Sequence, residues 1–420
     1  MLLRHWHGMR AEARRAVAVV LSVVVATAVV AVVGLTGNRG TGGQVGAKGS
    51  LHAAVPLNSV PTPAVPAAKI HGWITASASG ITDDSGQAIR LTGVADARMN
   101  QCKPSVPSDN EAATLQRLGF NSVRLAISWA ATEPSPPTRA ADGSWTHHWD
   151  RGYLAQVDQA VSVFRAHGIA VILDLHQVRL SSAFDTSKCT NMGLPAWVFA
   201  GQHAKQLAVC SFFTNVAAPD APAIPPYDAI AAVWKFYAQH YAADSTVIAA
   251  DVYNEPYVPA ACPNVQKENL PRFYGAVGTA IRVVNPKLTL VLEDAAYETY
   301  QRAGLQLSSL PALGNIIYSW HFYPTSWLVG KPELAAHLAR ARALGAPLWL
   351  GEFNAFGPAS NNGSRPDANA ESDLAAMMAY CRSNGIGWDL WEYRGRSSSL
   401  IDLETGLPKD ALARGLQAGL

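Results

Sequence analysis

Eight short β-branched runs alternate with longer amphipathic stretches, the runs carry no polar face, and glycine closes several of the stretches. These observations predict an α/β fold, a (β/α)8 TIM barrel of parallel strands with an N-terminal β-hairpin. The runs fall at residues 89–95, 122–127, 169–175, 247–253, 288–293, 316–321, 347–352 and 386–391. Between them, apolar positions at helical spacing predict helices over Asn110–Leu118, Tyr153–His167, Tyr227–Tyr241, Asn269–Val284, Pro332–Leu344 and Ala370–Arg382. Gly119, Gly168 and Gly345 stand just past three of those ends. Residues 74–94 read as a hairpin turning at Asp84-Ser85-Gly86 into the first core run. The competing architecture, a doubly wound open sheet, requires a glycine-rich first turn that the sequence does not contain.

Ahead of the barrel, residues 16–34 are uncharged and follow Arg14 and Arg15, the pattern of an export or membrane element whose N-terminus stays cytoplasmic. A spanning helix needs about 18 to 20 apolar residues, so an uncleaved anchor is favoured over a cleavable signal. The competing observation is Ala26-Thr27-Ala28, a small-x-small cleavage pattern. Either way the folded domain is expected outside the cell, secreted or anchored. Residues 35–69 are rich in Gly, then in Pro and Ala, and read as a flexible linker. The expected organisation is a signal or anchor over 1–34, the linker over 35–69 and the barrel domain over 70–420.

The 420 residues carry a net charge of +2, of which the first 15 residues hold +3 through Arg4, Arg10, Arg14 and Arg15 against Glu12. The rest is nearly neutral, so nucleic acid is not an expected partner. No phosphate-cradling glycine loop and no CxxC pair occurs; no cofactor and no metal site is expected, and a monomer is. Five cysteines in an exported domain predict disulfides. Cys102, Cys189, Cys210 and Cys262 fall in expected loops, whereas Cys381 lies in an apolar helical stretch as a buried thiol. Cys189 with Cys210 is the preferred bridge because it closes one loop, with the other pairings open.

In a parallel barrel, chemistry gathers at the C-terminal ends of the strands. Glu255 closes the fourth run in VYNEPY, and Glu352 closes the seventh in LWLGEF. The other strand ends bring Arg124, His176, Asn254, His321, Tyr323 and Trp391. Each has a plainer reading. The glutamates could form a structural ion pair, Arg124 an internal one, and the histidines could be satisfied core groups. Trp391 could pack, and Asn254 could form a turn. Asp174 and Asp251 are expected to be structural, Glu293 and Asp294 not catalytic, and Trp129, Trp197 and Trp327 either sugar platforms or packing.

Taken in order, these residues resemble glycoside hydrolase family 5, the cellulase-type (β/α)8 barrels, over about residues 70–415. The resemblance implies a retaining β-glycosidase with Glu255 as acid/base and Glu352 as nucleophile. Such hydrolysis wants two carboxyls about 5 to 5.5 Å apart, one protonated and one ionised. Arg124 and Tyr323 directed at Glu352 would keep it charged, while Glu255 in a more apolar setting would keep its proton. Asn254 is expected to meet the sugar 2-hydroxyl, His176 and His321 to form polar walls, and Trp391 to offer a flat face to the sugar. The family pattern places an Asn soon after the first strand, where this sequence has Asp96 and Arg98, with Asn100 later.

The resemblance implies an oligosaccharide or polysaccharide substrate of the β-glucan type. Asp174-Leu175-His176-Gln177 and the loop containing GLPAWVFA look like the endoglycoceramidase branch, which implies a glycolipid substrate as the alternative. There Leu194, Trp197, Val198 and Phe199 would line an acyl groove. A reading of another class, a non-catalytic carbohydrate-binding barrel at the cell surface, is disfavoured by retention of both carboxylates.

Overall fold

The computed structural model describes residues 57–420 apart from 178–179, 186–188, 257–261, 263–267, 295–306, 325, 355–369, 396–398 and 404. The expected anchor over 16–34 and most of the linker lie outside the described residues. Among the described residues, no helix is long and apolar enough to cross a membrane.

Eight parallel strands close in sequence order into a barrel: β1 Thr92–Asp96, β2 Ser122–Ile127, β3 Ala170–Leu175, β4 Val247–Asp251, β5 Thr289–Glu293, β6 Ile316–Phe322, β7 Leu348–Phe353 and β8 Gly387–Leu390. Each predicted run therefore forms a barrel strand. Alternation assigns the faces. Val171, Leu173 and Leu175 of β3 pack into the cluster that holds the buried helix faces, as do Leu290 and Leu292 of β5. The opposite parity fills the barrel. Near the strands' start it is apolar: Ile172, Ile248, Val291, Ile317 and Trp349 pack with Ile74, Ile81, Ile89 and Leu91. Towards the strands' end it turns polar, with Arg124, Asp174, Asp251, Glu293 and Asp389, all buried.

The N-terminal hairpin is three-stranded. Ile74–Ser77 pairs with Gly80–Asp83, which pairs with Ala88–Ile89 across the expected turn, and an additional tight turn joins the first two. Its apolar side seals the start of the barrel.

The helices run Asp109–Arg117, Arg151–Ala166, Pro226–His240, Leu270–Val284, Trp327–Leu344, Ala370–Ser383 and Asp410–Gln417. The helix expected from Pro332 starts five residues earlier, because the Ser326 hydroxyl accepts the Val329 N–H and caps it. Between β5 and β6 no helix lies among the described residues.

The linker expected over 35–69 ends before its composition indicates. Val60 is buried, and Pro61, Ala67 and Ala68 bond to the barrel: Ala67 N–H donates to Gly119 O at 2.9 Å, Asn121 Nδ2 to Ala68 O at 2.9 Å and Gln417 Nε2 to Pro61 O at 3.1 Å. Proline-rich sequence is stiff enough to lie along a surface without helix or strand. The long segment after β3 also has its own structure, with a turn of 3-10 helix at Ala196–Phe199 and a helix at Lys205–Phe213.

The preferred Cys189–Cys210 bridge is not formed. Cys102 pairs with Cys189 and Cys210 with Cys262, while Cys381 is a buried thiol. Each bridge joins loops from different strands: the first ties the β1 loop to the β3 segment, the second ties that segment to the loop after Glu255. Closing 87- and 52-residue separations constrains the unfolded chain more than one local loop would. Replacing Cys102 and Cys189 together by serine is expected to lower unfolding free energy by about 2–4 kcal/mol in urea titration. Cys381 should stay unreactive to thiol reagents until the protein unfolds, as its burial raises its pKa to about 12.

Candidate active site

Arg124 organises the C-terminal mouth of the barrel. Its side chain is fully buried. Nε donates to Asp251 Oδ2 at 2.8 Å, one terminal nitrogen to Glu352 Oε1 at 2.8 Å, and the other to Asn254 Oδ1 at 2.7 Å and Glu293 Oε1 at 3.1 Å. Asp174 Oδ1 lies 3.1 Å from the same nitrogen. Burial opposes the charge, yet Asp174, Asp251, Glu352 and Glu293 hold the guanidinium well above its ordinary pKa.

The turn after β4 carries Asn254 and Glu255. Asn254 is bonded at both ends of its amide, accepting from Arg124 and donating from Nδ2 to Gln177 O at 3.0 Å. Glu255 has φ +43°, a left-handed conformation that costs a non-glycine residue roughly 1–2 kcal/mol. Three bonds impose it. Glu255 N–H donates to Glu293 Oε2 at 2.8 Å, and Gln177 Nε2 donates to the Asn254 and Glu255 carbonyls at 2.9 and 2.8 Å.

Opposite, Glu352 closes β7. Its Oε2 accepts from the Tyr323 hydroxyl at 2.7 Å and its Oε1 from Arg124. An oxygen of Glu255, a nitrogen of His321 and an oxygen of Glu352 all lie within 4.8 Å of one another. His321 is therefore between the glutamates rather than a side wall. Its Nδ1 stands 2.9 Å from Glu255 Oε1 and 3.5 Å from Glu352 Oε2, and its Nε2 stands 3.2 Å from Glu293 Oε1. A β-bulge at Trp320/His321 sets it level with Glu352, and Gly351 leaves it room, since a Cβ there would lie 3.1 Å from Nε2.

The electrostatics follow from those contacts. Although burial lowers it, Glu293, Glu352 and the bond to Glu255 keep the His321 pKa well above the imidazole value, so it is an imidazolium at neutral pH. Burial raises Glu352, with His321 and Arg124 pulling down and Glu255 pushing up. Burial would also raise Glu293, yet His321, Arg124 and the Glu255 N–H hold it at about 2. The expected apolar setting for Glu255 is not found: it faces the imidazolium and is the more exposed glutamate, 17% against 6% for the side chains.

His176 Nδ1 bonds Asp174 Oδ2 at 2.7 Å, and its ring stacks on Trp391 at 5.1 Å between centroids. One face of Trp391 is thus covered by His176. Asp96 and Arg98, at the position where the family carries an Asn, pair with each other at 2.6 Å. Asn100 instead accepts the Gly193 N–H at 3.0 Å, locking the β1 and β3 loops together.

Several expected platforms are packing. Trp129 is fully buried against Trp197, whose indole N–H donates to Glu133 O at 3.1 Å, and Trp327 packs on Tyr380. The expected acyl groove is absent, because Leu194, Val198 and Phe199 are buried in the core. The sequence singled out Gln177 only as part of a motif and Glu293 only as not catalytic, whereas both hold Glu255. The available signal was position, since Gln177 directly follows His176 and Glu293 ends β5.

Glu255, His321 and Glu352 offer ligand atoms close enough for a cation. A divalent ion would compete there with the His321 proton and with Arg124 on Glu352, so the donor set fits a proton network better than a metal.

A family model described as Cellulase (glycosyl hydrolase family 5) matches residues 82–397. Among curated proteins, a probable glucan 1,3-beta-glucosidase A of Emericella nidulans is 26% identical over 298 residues, 67% of this chain and 63% of that protein. An endoglycoceramidase of Cyanea nozakii is 22% identical over 325 residues, 68% and 60% respectively. The chain thus spans about three fifths of the length of these relatives. Among solved structures, endo-glycoceramidase II from Rhodococcus sp. as its lactosyl-enzyme intermediate matches with TM-score 0.61 at 22% identity, covering 83% of this chain and 81% of that one. Endoglucanase Cel5A from Thermotoga maritima matches with TM-score 0.56 at 15% identity, covering 77% and 96%. These likenesses show the same fold.

Arg124→Ala is expected to cost about 3–5 kcal/mol in urea unfolding, since it strands several carboxylates in the barrel. Glu293 yields a pH test. Its pKa is lowered from 4.5 to about 2 by folding, so the stability it contributes is complete above 4.5 and fades as pH falls towards about 2. Glu293→Gln should be less stable than native at pH 6, with the gap narrowing on acidification through that window.

Proposed function

Since the chain belongs to glycoside hydrolase family 5, we propose that it is a glycoside hydrolase cleaving β-linked glycans with retention, Glu255 serving as acid/base and Glu352 as nucleophile. The observation that carries this reading is the approach of a Glu255 oxygen to a Glu352 oxygen within 4.8 Å, at the mouth of the barrel. An approach that close is nearer to the about 5 to 5.5 Å between the carboxyls of a retaining pair than to the roughly 6.5 to 9.5 Å with which inversion seats a water. Glu352 attacks the anomeric carbon while Glu255 protonates the leaving oxygen. Glu255 then takes a proton from the water that releases the sugar from Glu352.

Neighbouring residues act on those steps. Arg124 and Tyr323 fix both Glu352 oxygens, aiming one carboxylate at one carbon. His321 keeps a positive charge beside both glutamates. Asn254 has a second amide N–H for the sugar 2-hydroxyl, a bond that tightens in the transition state. His176 orients Trp391 by stacking.

A β-glucan is the substrate class we favour, in keeping with the glucan 1,3-beta-glucosidase relatives. A glycolipid is the second reading. It is favoured by Leu328 and Val329, which are 86% and 61% exposed at the head of the helix following β6, just beyond Tyr323. Extracellular display of the barrel on its N-terminal segment remains part of the proposal, testable by protease accessibility on intact cells.

The purified chain should hydrolyse at least one of aryl β-glucosides, β-1,3- or β-1,4-glucans, or glycosphingolipids. NMR of the first-formed sugar should show the β-anomer. Glu352→Gln should lose at least about a thousandfold in kcat on the same substrate. Turnover equal to native would remove Glu352 from the nucleophile role, and an α-anomer would remove retention.

A further inference from the structure

A third carboxyl stands at the same mouth. Glu392 follows Trp391 just beyond β8, and its main chain is fixed on both sides: Tyr393 N–H donates to Ala95 O at 2.8 Å and Leu400 N–H to Glu392 O at 2.9 Å. The side chain is only partly exposed. Among the described residues its carboxyl has no hydrogen bond and no ion pair. The charged groups near it are Asp96 at the end of β1, itself paired with Arg98, Glu352 on β7 and His176 after β3. Glu392 therefore faces the space beside Glu352 rather than the outer helices.

Gly395 makes room for it. A Cβ at that position would lie 1.9 Å from Glu392 Oε1, so the carboxyl rests against bare backbone. Its oxygens are open to solvent rather than sealed in the core, so in the free protein water holds them and a ligand hydroxyl can take that water's place. The geometry points to Glu392 as a specificity-determining residue that binds hydroxyl groups of the sugar lying beside Glu352, an inference that rests on the glycosidase reading above.

The protonation state suits that task. Burial, reinforced by Asp96 and Glu352 and opposed by His176, raises the Glu392 pKa to about 7. Below that pH the group is a neutral acid, with one O–H to donate and lone pairs to accept, matching a sugar hydroxyl pair. Above it the carboxylate can only accept, and it adds a negative charge beside Glu352. Sugar binding should weaken as pH rises through about 7.

Binding is measured first in a Glu352→Gln background, which separates it from turnover, by calorimetry with cellobiose, laminaribiose and lactose at pH 6. At least one disaccharide should bind. Adding Glu392→Ala should raise its Kd about tenfold, and adding Glu392→Gln, which keeps a donor and an acceptor, should recover most of that loss. Gly395→Ala should act like Glu392→Ala, because the new methyl displaces the flexible carboxyl without touching the fold. In the otherwise native chain the same variants should raise KM more than they lower kcat, and Glu392→Gln should move the alkaline limb of kcat/KM upward. No disaccharide binding, or Kd unchanged within twofold in both Glu392→Ala and Gly395→Ala, would overturn the assignment. If the variants weaken binding while the native chain turns over no glycoside, Glu392 stands and the hydrolase reading falls.

Discussion

A single buried guanidinium constrains most of this barrel's polar interior. Removing an ion from water costs several kcal/mol after relaxation, and one partner rarely offsets that. Arg124 has five, Asp174, Asp251, Asn254, Glu293 and Glu352, contributed by β3, the end of β4, β5 and β7. A planar fork can satisfy so many acceptors only if each strand arrives at a fixed height. The network therefore sets the registers of those strands, and through Asn254 and Glu293 it sets the backbone from which Glu255 projects. Lysine, with three donors around one point, could not span it.

Around Arg124 the carboxyls are sorted by the other charges each one meets. Asp251 carries burial and Glu293 against it and is driven well above the carboxylate range, and Asp389, with neither oxygen bonded, is raised by burial likewise. Glu293, in contrast, adds His321 and the Glu255 amide to its contact with Arg124, and stays ionised. His321 is consequently an imidazolium anchored on Glu293 and turned towards Glu255 and Glu352. The strain at Glu255 persists because Glu293 answers to both the cation and that amide.

The barrel was legible because burial on both faces forces strands into apolar runs, and any charge interrupting such a run must have a reason. Arg124, Glu255, His321 and Glu352 stood out on that ground. What the sequence concealed depends on distance in space. The Cys102–Cys189 bridge spans two loops far apart in the chain, whereas proximity along the chain favoured Cys189–Cys210. Residues 57–69 look like a linker by composition, yet their backbone finds partners on Gly119, Asn121 and Gln417. Phe199 and Leu194 look like a lipid surface in a loop, but the segment folds back into the core. His321 was read as a wall because nothing in HFYP reveals the bulge that swings it between the glutamates.

That bulge also changes why the two glutamates would differ. The apolar surroundings expected for Glu255 are not there. The contrast lies in access and in donors. Glu352 is buried and accepts from a guanidinium that cannot lose its proton and from a phenol, so its contacts favour the carboxylate while burial disfavours it. A carboxylate under that tension gains when its charge is transferred into a bond with carbon. Glu255 projects from a strained turn, more open to solvent, with an imidazolium N–H at 2.9 Å. In the proposed mechanism the acid/base exchanges protons twice in each cycle, with a leaving group and then with water, a task that suits the more accessible carboxyl.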